Sequence, residues 1–250
     1  MLGSVSISGG TSTLTLASDA TNSLSYTINA LTTGGSGSIA FGSTGASTNK
    51  SITVNAQSIT TGGGGAVPTV NNATINANAI NLASGIGMNV QSQAQVVMNV
   101  GKSFSTSGAA KIDLPADTGL ATQASVRVNI ANDPSTSTPL DFSGGTVTNN
   151  GYDPSRFVFD YAGSGNVNMS GGTKQAIVLY APLAKFTLSG GASLYGEVVA
   201  STINDSGGTA IYYDTNLANK GVFGTSSSST SVTDYYADSP MLSSFSWKKY

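Results

Sequence analysis

The chain has no cysteine, no histidine, a single glutamate (Glu197) and few charges, with 10 Lys+Arg and 12 Asp+Glu among 250 residues. Each absence closes a class of chemistry. Without cysteine there is no disulfide framework, no thiolate metal site and no thiol nucleophile, although the compartment is not fixed thereby. Without histidine, neither a Ser-His-Asp nor a Cys-His arrangement can be assembled, and no imidazole is present to ligate a metal. The low charge density excludes disorder driven by self-repulsion. A net charge of −2 with no basic stripe leaves no electrostatic footprint for nucleic acid. No run approaches the roughly 20 apolar residues of a membrane helix. Met1-Leu2-Gly3-Ser4 also lacks the basic and apolar regions of a signal peptide. The chain as given is expected to be soluble. It runs from Met1 straight into strand-like sequence, which points to an N-terminal anchoring segment cut away from this chain.

What is present is glycine, 31 of it, and a repeated phrase. An alternating apolar run followed by Ser-Gly-Gly occurs at Val167–Gly172, Phe186–Gly191 and Ile203–Gly208. The serines Ser170, Ser189 and Ser206 are 19 and 17 residues apart (189 − 170 and 206 − 189). That period is too short for a helical-hairpin repeat and suits one turn of a parallel β-solenoid. In such a coil the glycines form corners at positive φ, and no unit buries its apolar side until a neighbour stacks on it. Ser143-Gly144-Gly145 is an outlying copy of the phrase.

Period-2 alternation dominates the rest and predicts an all-β protein in two parts. Strands are expected at Ser4–Ser8, Ser12–Ala17, Leu24–Leu31, Ser38–Phe41 and Ser51–Ala56, separated by turn-rich segments that suit hairpins. Residues 1–61 are therefore expected to form a small antiparallel sheet, and 62–72, with Gly62-Gly63-Gly64-Gly65 and Pro68, a linker. Residues 73–224 are expected to be a right-handed parallel β-helix. Its coils fall at Ala73–Leu82, Gly87–Val100, Lys102–Leu114, Ser125–Ile130 and Leu140–Thr148, with surface excursions at Ala131–Pro139 and Asn149–Arg156. The many asparagines between Asn71 and Asn89 are expected at left-handed corners or as stacked amides inside the coil. Residues 225–250 read as a Ser/Thr-rich tail and a cap containing Trp247.

A β-helix invites comparison with polysaccharide lyases and hydrolases, which work with Asp, Arg and Lys in a charged cleft. The residues available for that are Asp153, Arg156, Asp160, Lys174 and Lys185, spread along the sequence with no carboxylates paired in strand register. Isolated solvated charges at corners are the simpler reading. Calcium ligation by Asp133 with Asp141, or Asp205 with Asp214, lacks an Asp-x-Asp-x-Asp array, and turn capping explains these residues. The Ser-Gly-Gly phrases lack the Lys-Ser/Thr and the helix of a phosphate loop. The Thr-x-Thr pairs Thr13/Thr15 and Thr146/Thr148 do not recur in every coil, so an ice-binding face is not expected. Tyr212-Tyr213 and Tyr235-Tyr236 suit an aromatic cover for the solenoid end. No catalytic residue, metal ligand or cofactor is expected.

The stretch from Arg156-Phe157 through Tyr161-Ala162-Gly163 and Val167–Gly172 to Leu217, with its succession Tyr180-Ala181-Pro182, Ser189-Gly190-Gly191, Tyr195-Gly196 and Tyr213-Asp214, resembles the C-terminal domain of bacterial PilX-like pilus-assembly proteins. Tyr26 to Gln57 likewise resembles the pilin-like sheet that these proteins place before the solenoid. The resemblance implies a minor pilin of a type IV pilus-like apparatus, a structural or cell-adhesion component at the extracellular surface. Its partners would be pilin or other pilus-assembly subunits and a surface glycan, with membrane contact only through the missing N-terminal helix. The alternatives are a carbohydrate-binding or carbohydrate-cleaving β-helix and a self-assembling scaffold like the bactofilins.

Overall fold

The computed structural model describes residues 3–9, 12–17, 22–35, 37–42, 51–62, 69–83, 88–144, 146–172 and 174–219. Its regular structure is all β apart from two 3-10 turns, Pro154–Arg156 and Thr215–Asn219. The strands in chain order begin with β1 (Val5–Ser8), β2 (Thr13–Leu16), β3 (Leu24–Gly34), β4 (Ser38–Phe41), β5 (Ile52–Thr61) and β6 (Thr69–Val70). Next come β7 (Ala73–Leu82), β8 (Met88–Val90), β9 (Gln95–Ser107), β10 (Lys111–Leu114), β11 (Ser125–Ile130) and β12 (Leu140–Ser143). The last are β13 (Thr146–Asn149), β14 (Phe157–Tyr161), β15 (Asn166–Ser170), β16 (Lys174–Leu188), β17 (Ser193–Asp205) and β18 (Ala210–Tyr213).

Alternate strands, not consecutive ones, are neighbours through the first half. A six-stranded sheet runs β2-β4-β6-β8-β10-β13, and a twelve-stranded sheet begins β1-β3-β5-β7-β9. Beyond β9 the larger sheet follows two tracks, because the long β9 pairs with β11 through its first part and with β12 through its last. Both tracks converge on β16, which pairs with β14 and β15, and then on β17.

Every strand pair among the described residues is parallel, including β1 with β3, β3 with β5 and β2 with β4. The antiparallel sheet expected for residues 1–61 is therefore corrected. Period-2 alternation is common to both kinds of ladder, and the Gly/Ser-rich connections that suit hairpins here lead to the other sheet instead. Nor do residues 62–72 separate two cores. β5 pairs with β7 from Ile52↔Ala73 to Thr61↔Leu82, and Val70 of β6 is wholly buried. One apolar cluster runs from Leu16 to Leu194.

Stacking sets the interior. One inward column reads Leu31, Ile59, Ile80, Phe104, Leu140, Val167 and Phe186, each residue level with the next along the ladder. Phe104, Phe142 and Phe159 meet with ring centroids 5.0–6.3 Å apart, and Phe157 stacks on Phe159 at 4.9 Å. Each such side chain contributes about 1.5–3 kcal/mol of apolar transfer. Ile177 and Leu179 face inward and are fully buried as alternation requires, but Val178 between them is buried too. It packs with Val158 and Leu217, which the C-terminal 3-10 turn lays over the outer face.

The repeated phrase forms a stacked corner. Met169 pairs with Leu188, the Ser189 amide donates to the Met169 carbonyl, and the Ser206 amide donates to the Leu188 carbonyl, each bond 3.0 Å. Gly171, Gly190 and Gly207 adopt φ of +80°, +63° and +78°. A Cβ on Gly190 would lie 3.1 Å from the Gly171 amide nitrogen. Both the left-handed backbone and the close approach require glycine there.

Candidate functional site

The charged residues singled out from the sequence are not gathered into one cleft. Asp153 caps the first 3-10 turn, accepting from the Ser155 amide at 3.1 Å and the Ser155 hydroxyl at 2.5 Å. Arg156 is buried. Its guanidinium donates to the carbonyls of Ala124, Ala116 and Pro115 at 2.7–2.9 Å and lies 3.8 Å from the Asp117 carboxylate. Asp160 pairs at 3.2 Å with Arg127 on the outer surface. Lys174 is exposed beside Tyr152 and Tyr195 at a shallow pocket of about 120 Å³. Lys185 is exposed on β16, level with Asn166.

Asp117 was not legible as a partner, since it lies 39 residues before Arg156 (156 − 117). Its φ of +48° is unusual for a non-glycine residue. That backbone lets one carboxylate receive the Ser92 hydroxyl and the amides of Gln93 and Ala124. Burial alone would raise the Asp117 carboxyl, but these three donors and the Arg156 charge outweigh it and hold the group below the usual carboxylate range. The pair fastens the segment 115–124 to the 3-10 turn, a structural use of both residues.

The residues weighed for calcium are engaged by their own neighbours. Asp133 accepts from the Ser135 amide and hydroxyl and lies 3.6 Å from Lys102. The Ser135 hydroxyl and amide keep its carboxyl below the ordinary range. Asp141 accepts from Ser143 and Asn168 on its outward row, and Asp214 caps the second 3-10 turn through Asn216. Asp205 is exposed at the end of β17. No group of three or more acidic residues gathers among the described residues.

The asparagines build what the charges do not. Asn55, Asn76, Asn99 and Asn129 occupy one register position on β5, β7, β9 and β11. Each side-chain amide donates to the carbonyl oxygen of the one before it: Asn76 to Asn55 at 2.8 Å, Asn99 to Asn76 at 2.8 Å, Asn129 to Asn99 at 2.9 Å. Arg127 continues the row, donating to Asn129 and to Asp160. This corrects two expectations for the asparagines: the stacked amides lie on the outer face, and none of the left-handed non-glycine residues among those described is an asparagine.

The amide row lines a groove of about 640 Å³ that crosses the strands. The paired register passes over Gln57 on β5 and Asn78 on β7, and slips between Ala77 and Ala79, so the strands break step just beyond the row. Asn78 donates to Gln57 there. A Cβ on Gly101, the next residue at this level, would sit 2.8 Å from the Asn78 side-chain oxygen Oδ1, so the missing side chain leaves room for that amide. Small residues, among them Ala56, Ala77, Ala131 and Ala162, complete the lining.

Of the aromatic pairs, Tyr212 stacks on Tyr195 at 4.7 Å with planes 12° apart, and both Tyr212 and Tyr213 are about half exposed. Tyr235, Tyr236, Trp247 and the tail 225–250 lie outside the described residues. No described helix is long and apolar enough to cross a membrane.

The fold and its surface thus define an all-β protein of stacked parallel strands with an amide-lined outer groove. Residues 92–220, just over half of the chain, match the model of a family described as a domain of unknown function (DUF7305), and the chain belongs to that family. No curated protein and no solved structure matches the chain.

Proposed function

We propose that the chain is a right-handed parallel β-solenoid serving as a non-enzymatic structural or adhesive component of a bacterial type IV pilus-like surface apparatus. The observation that carries the reading is the unbroken series of parallel ladders on one apolar core from Leu16 to Leu194. A core of that kind makes a stiff rod in which each layer is held by its neighbours. Right-handedness follows from the strong preference of parallel crossovers for that hand. The resemblance of Arg156 to Leu217 to PilX-like proteins suggests the setting: a minor-pilin-like subunit held in the filament by an apolar N-terminal helix. The rod would carry the excursions 131–139 and 149–156 away from the cell, with Tyr152 78% exposed on the second. Pilin or other pilus-assembly subunits are the partners this implies.

Fusing the chain behind an apolar pilin-type helix in a piliated bacterium tests the reading. Co-purification with sheared pili and surface labelling by antibody are expected. Retention in the cytoplasmic fraction with no pilus association would overturn the placement. Release of sugar ends by the purified chain, abolished by Asp160→Asn, would overturn its non-enzymatic part.

A further inference from the structure

We infer that the amide-lined groove is a binding site for a linear, uncharged polysaccharide lying along the stack, across the strands. This deepens the adhesive reading above and rests on it for the biological setting, while the binding itself concerns the isolated chain.

Three observations carry it. The first is repetition. Asn55, Asn76, Asn99 and Asn129 present the same group once per layer, at the spacing of parallel strands, about 4.8 Å. A ligand that meets them all repeats at that interval, as one pyranose per layer does in an extended glycan. The second is chemistry. A carboxamide has two donors and two acceptor lone pairs, and the row consumes one of each at Asn76 and Asn99. The remaining donor and acceptor on each residue match sugar hydroxyls, which both donate and accept. Because the amides brace one another, they are held in place before the ligand arrives, which lowers the entropy lost on binding.

The third is what the groove offers to competing ligands. Its one charged lining residue, Asp160, is paired with Arg127 at the end of the row, so a charged polymer finds no counter-charge along it. An extended peptide binds a sheet by adding to an edge through backbone hydrogen bonds. The central strands here have both edges occupied by neighbours, and their backbone groups are spent on the ladders. Side-chain amides over small apolar residues are what remain, and they suit a neutral polyol better than a peptide.

The test is titration of the purified chain with linear oligosaccharides of glucose, xylose, mannose and N-acetylglucosamine. Polygalacturonate, heparin and an unstructured peptide serve as competing classes. Binding of at least one neutral series is expected, with affinity rising up to about four sugar units, one per amide layer. Asn99→Ala is expected to weaken it by about tenfold, the worth of one or two lost hydrogen bonds. Asn99→Trp, which fills the groove, is expected to abolish it. Asn204→Ala, an exposed change near the other end of the stack, is expected to leave binding unchanged.

Should the groove variants fail to fold, the side-chain amide resonances of Asn76 and Asn99 in the unaltered chain give the answer, shifting on addition of the bound glycan. Failure of every neutral series to bind overturns the site, as does tighter binding of a charged polymer or the peptide. Binding indifferent to folded groove variants, or shifts confined to other residues, does the same. None of these results bears on co-purification with pili, so the two readings fail separately.

Discussion

Residues 3–90 and 92–219 share one core but are tied together by different means. In the first region each layer repeats the last: Ile59 lies over Leu31 and Ile80 over Ile59, and outside them Asn76 donates to Asn55. In the second, the layers first lengthen, with 36 residues between the paired Phe104 and Leu140 (140 − 104), and then shorten to 19 and 17 at Phe186 and Ile203. The extra chain of the long layers forms the segment 115–124 and the two excursions. Those segments have no neighbour of their own kind to pair with. Polar groups found once each hold 115–124 and 149–156 instead, the Asp117 carboxylate, the Arg156 guanidinium and the Asp153 cap, while in 131–139 the carbonyls of Ser137 and Pro139 accept from the Asn166 and Phe104 amides. A tie that repeats can lose one member and keep the rest. A unique buried tie leaves its partner uncompensated when broken.

The largest expected effect tests whether the two regions are one cooperative unit. Leu179 is fully buried in the shared cluster, and Leu179→Asp places an unpaired carboxylate there, at a cost of several kcal/mol. A single unfolding transition at much lower temperature, followed by circular dichroism, is expected to take both regions together. Survival of a protease-resistant fragment spanning residues 3–90 would show that the first region stands alone. Lys174→Ala, on the same strand but exposed, is the control, with an expected change below about 0.5 kcal/mol.

Next comes the contrast between the unique tie and the repeating one. Asp117→Asn puts an amide where two backbone N–H groups and a guanidinium now converge, removing the ion-pair partner of the buried Arg156 and leaving it only the charge of Asp153, beyond ion-pair distance. About 3–5 kcal/mol of lost stability is expected in urea titration. Asn76→Ala interrupts the outer row yet leaves the backbone ladder on both sides, and about 1 kcal/mol is expected. Equal losses would break the distinction between the regions. The Asp117 contribution also has a sign in pH. Its carboxyl is depressed in the folded state, so its stabilisation is present above the ordinary aspartate range and is lost as the pH falls through the folded value.

The same contrast explains what could be read from the sequence. Repeating features were legible: β7 and β11 fall on the expected Ala73–Leu82 and Ser125–Ile130, and the Ser-Gly-Gly phrases stack as corners. Alternation marks strands without marking their direction, so the parallel pairing of β1 to β5 was missed. What would have given it is the offset between like strands, as between Ile59 and Ile80, which belongs to a stack and not to a hairpin. The partnership of Asp117 with Arg156 leaves no local trace at all. The asparagine density was visible, and alternation with the buried Val54, Ile75, Met98 and Val128 turns the row outward, but the register that brings Asn55, Asn76, Asn99 and Asn129 level is a property of neighbouring strands.

The smallest expected effect concerns Glu197, the chain's only glutamate, on β17 level with Val178. It belongs to neither kind of tie. Burial pushes its carboxyl above the ordinary glutamate range, with no hydrogen bond or ion pair pulling it back. The folded chain therefore holds the proton more tightly than the unfolded chain, and stability falls as the pH rises from the ordinary value through the raised one. Glu197→Gln removes that dependence. Because the side chain is partly exposed, solvent screens the penalty, and a gain of about 0.5 kcal/mol or less is expected at neutral pH. Melting temperatures of the two proteins should converge in mild acid and separate toward neutrality, with the glutamine form higher. A glutamate form that is the more stable at neutral pH would mean that Glu197 has a partner and is itself a tie of the second region.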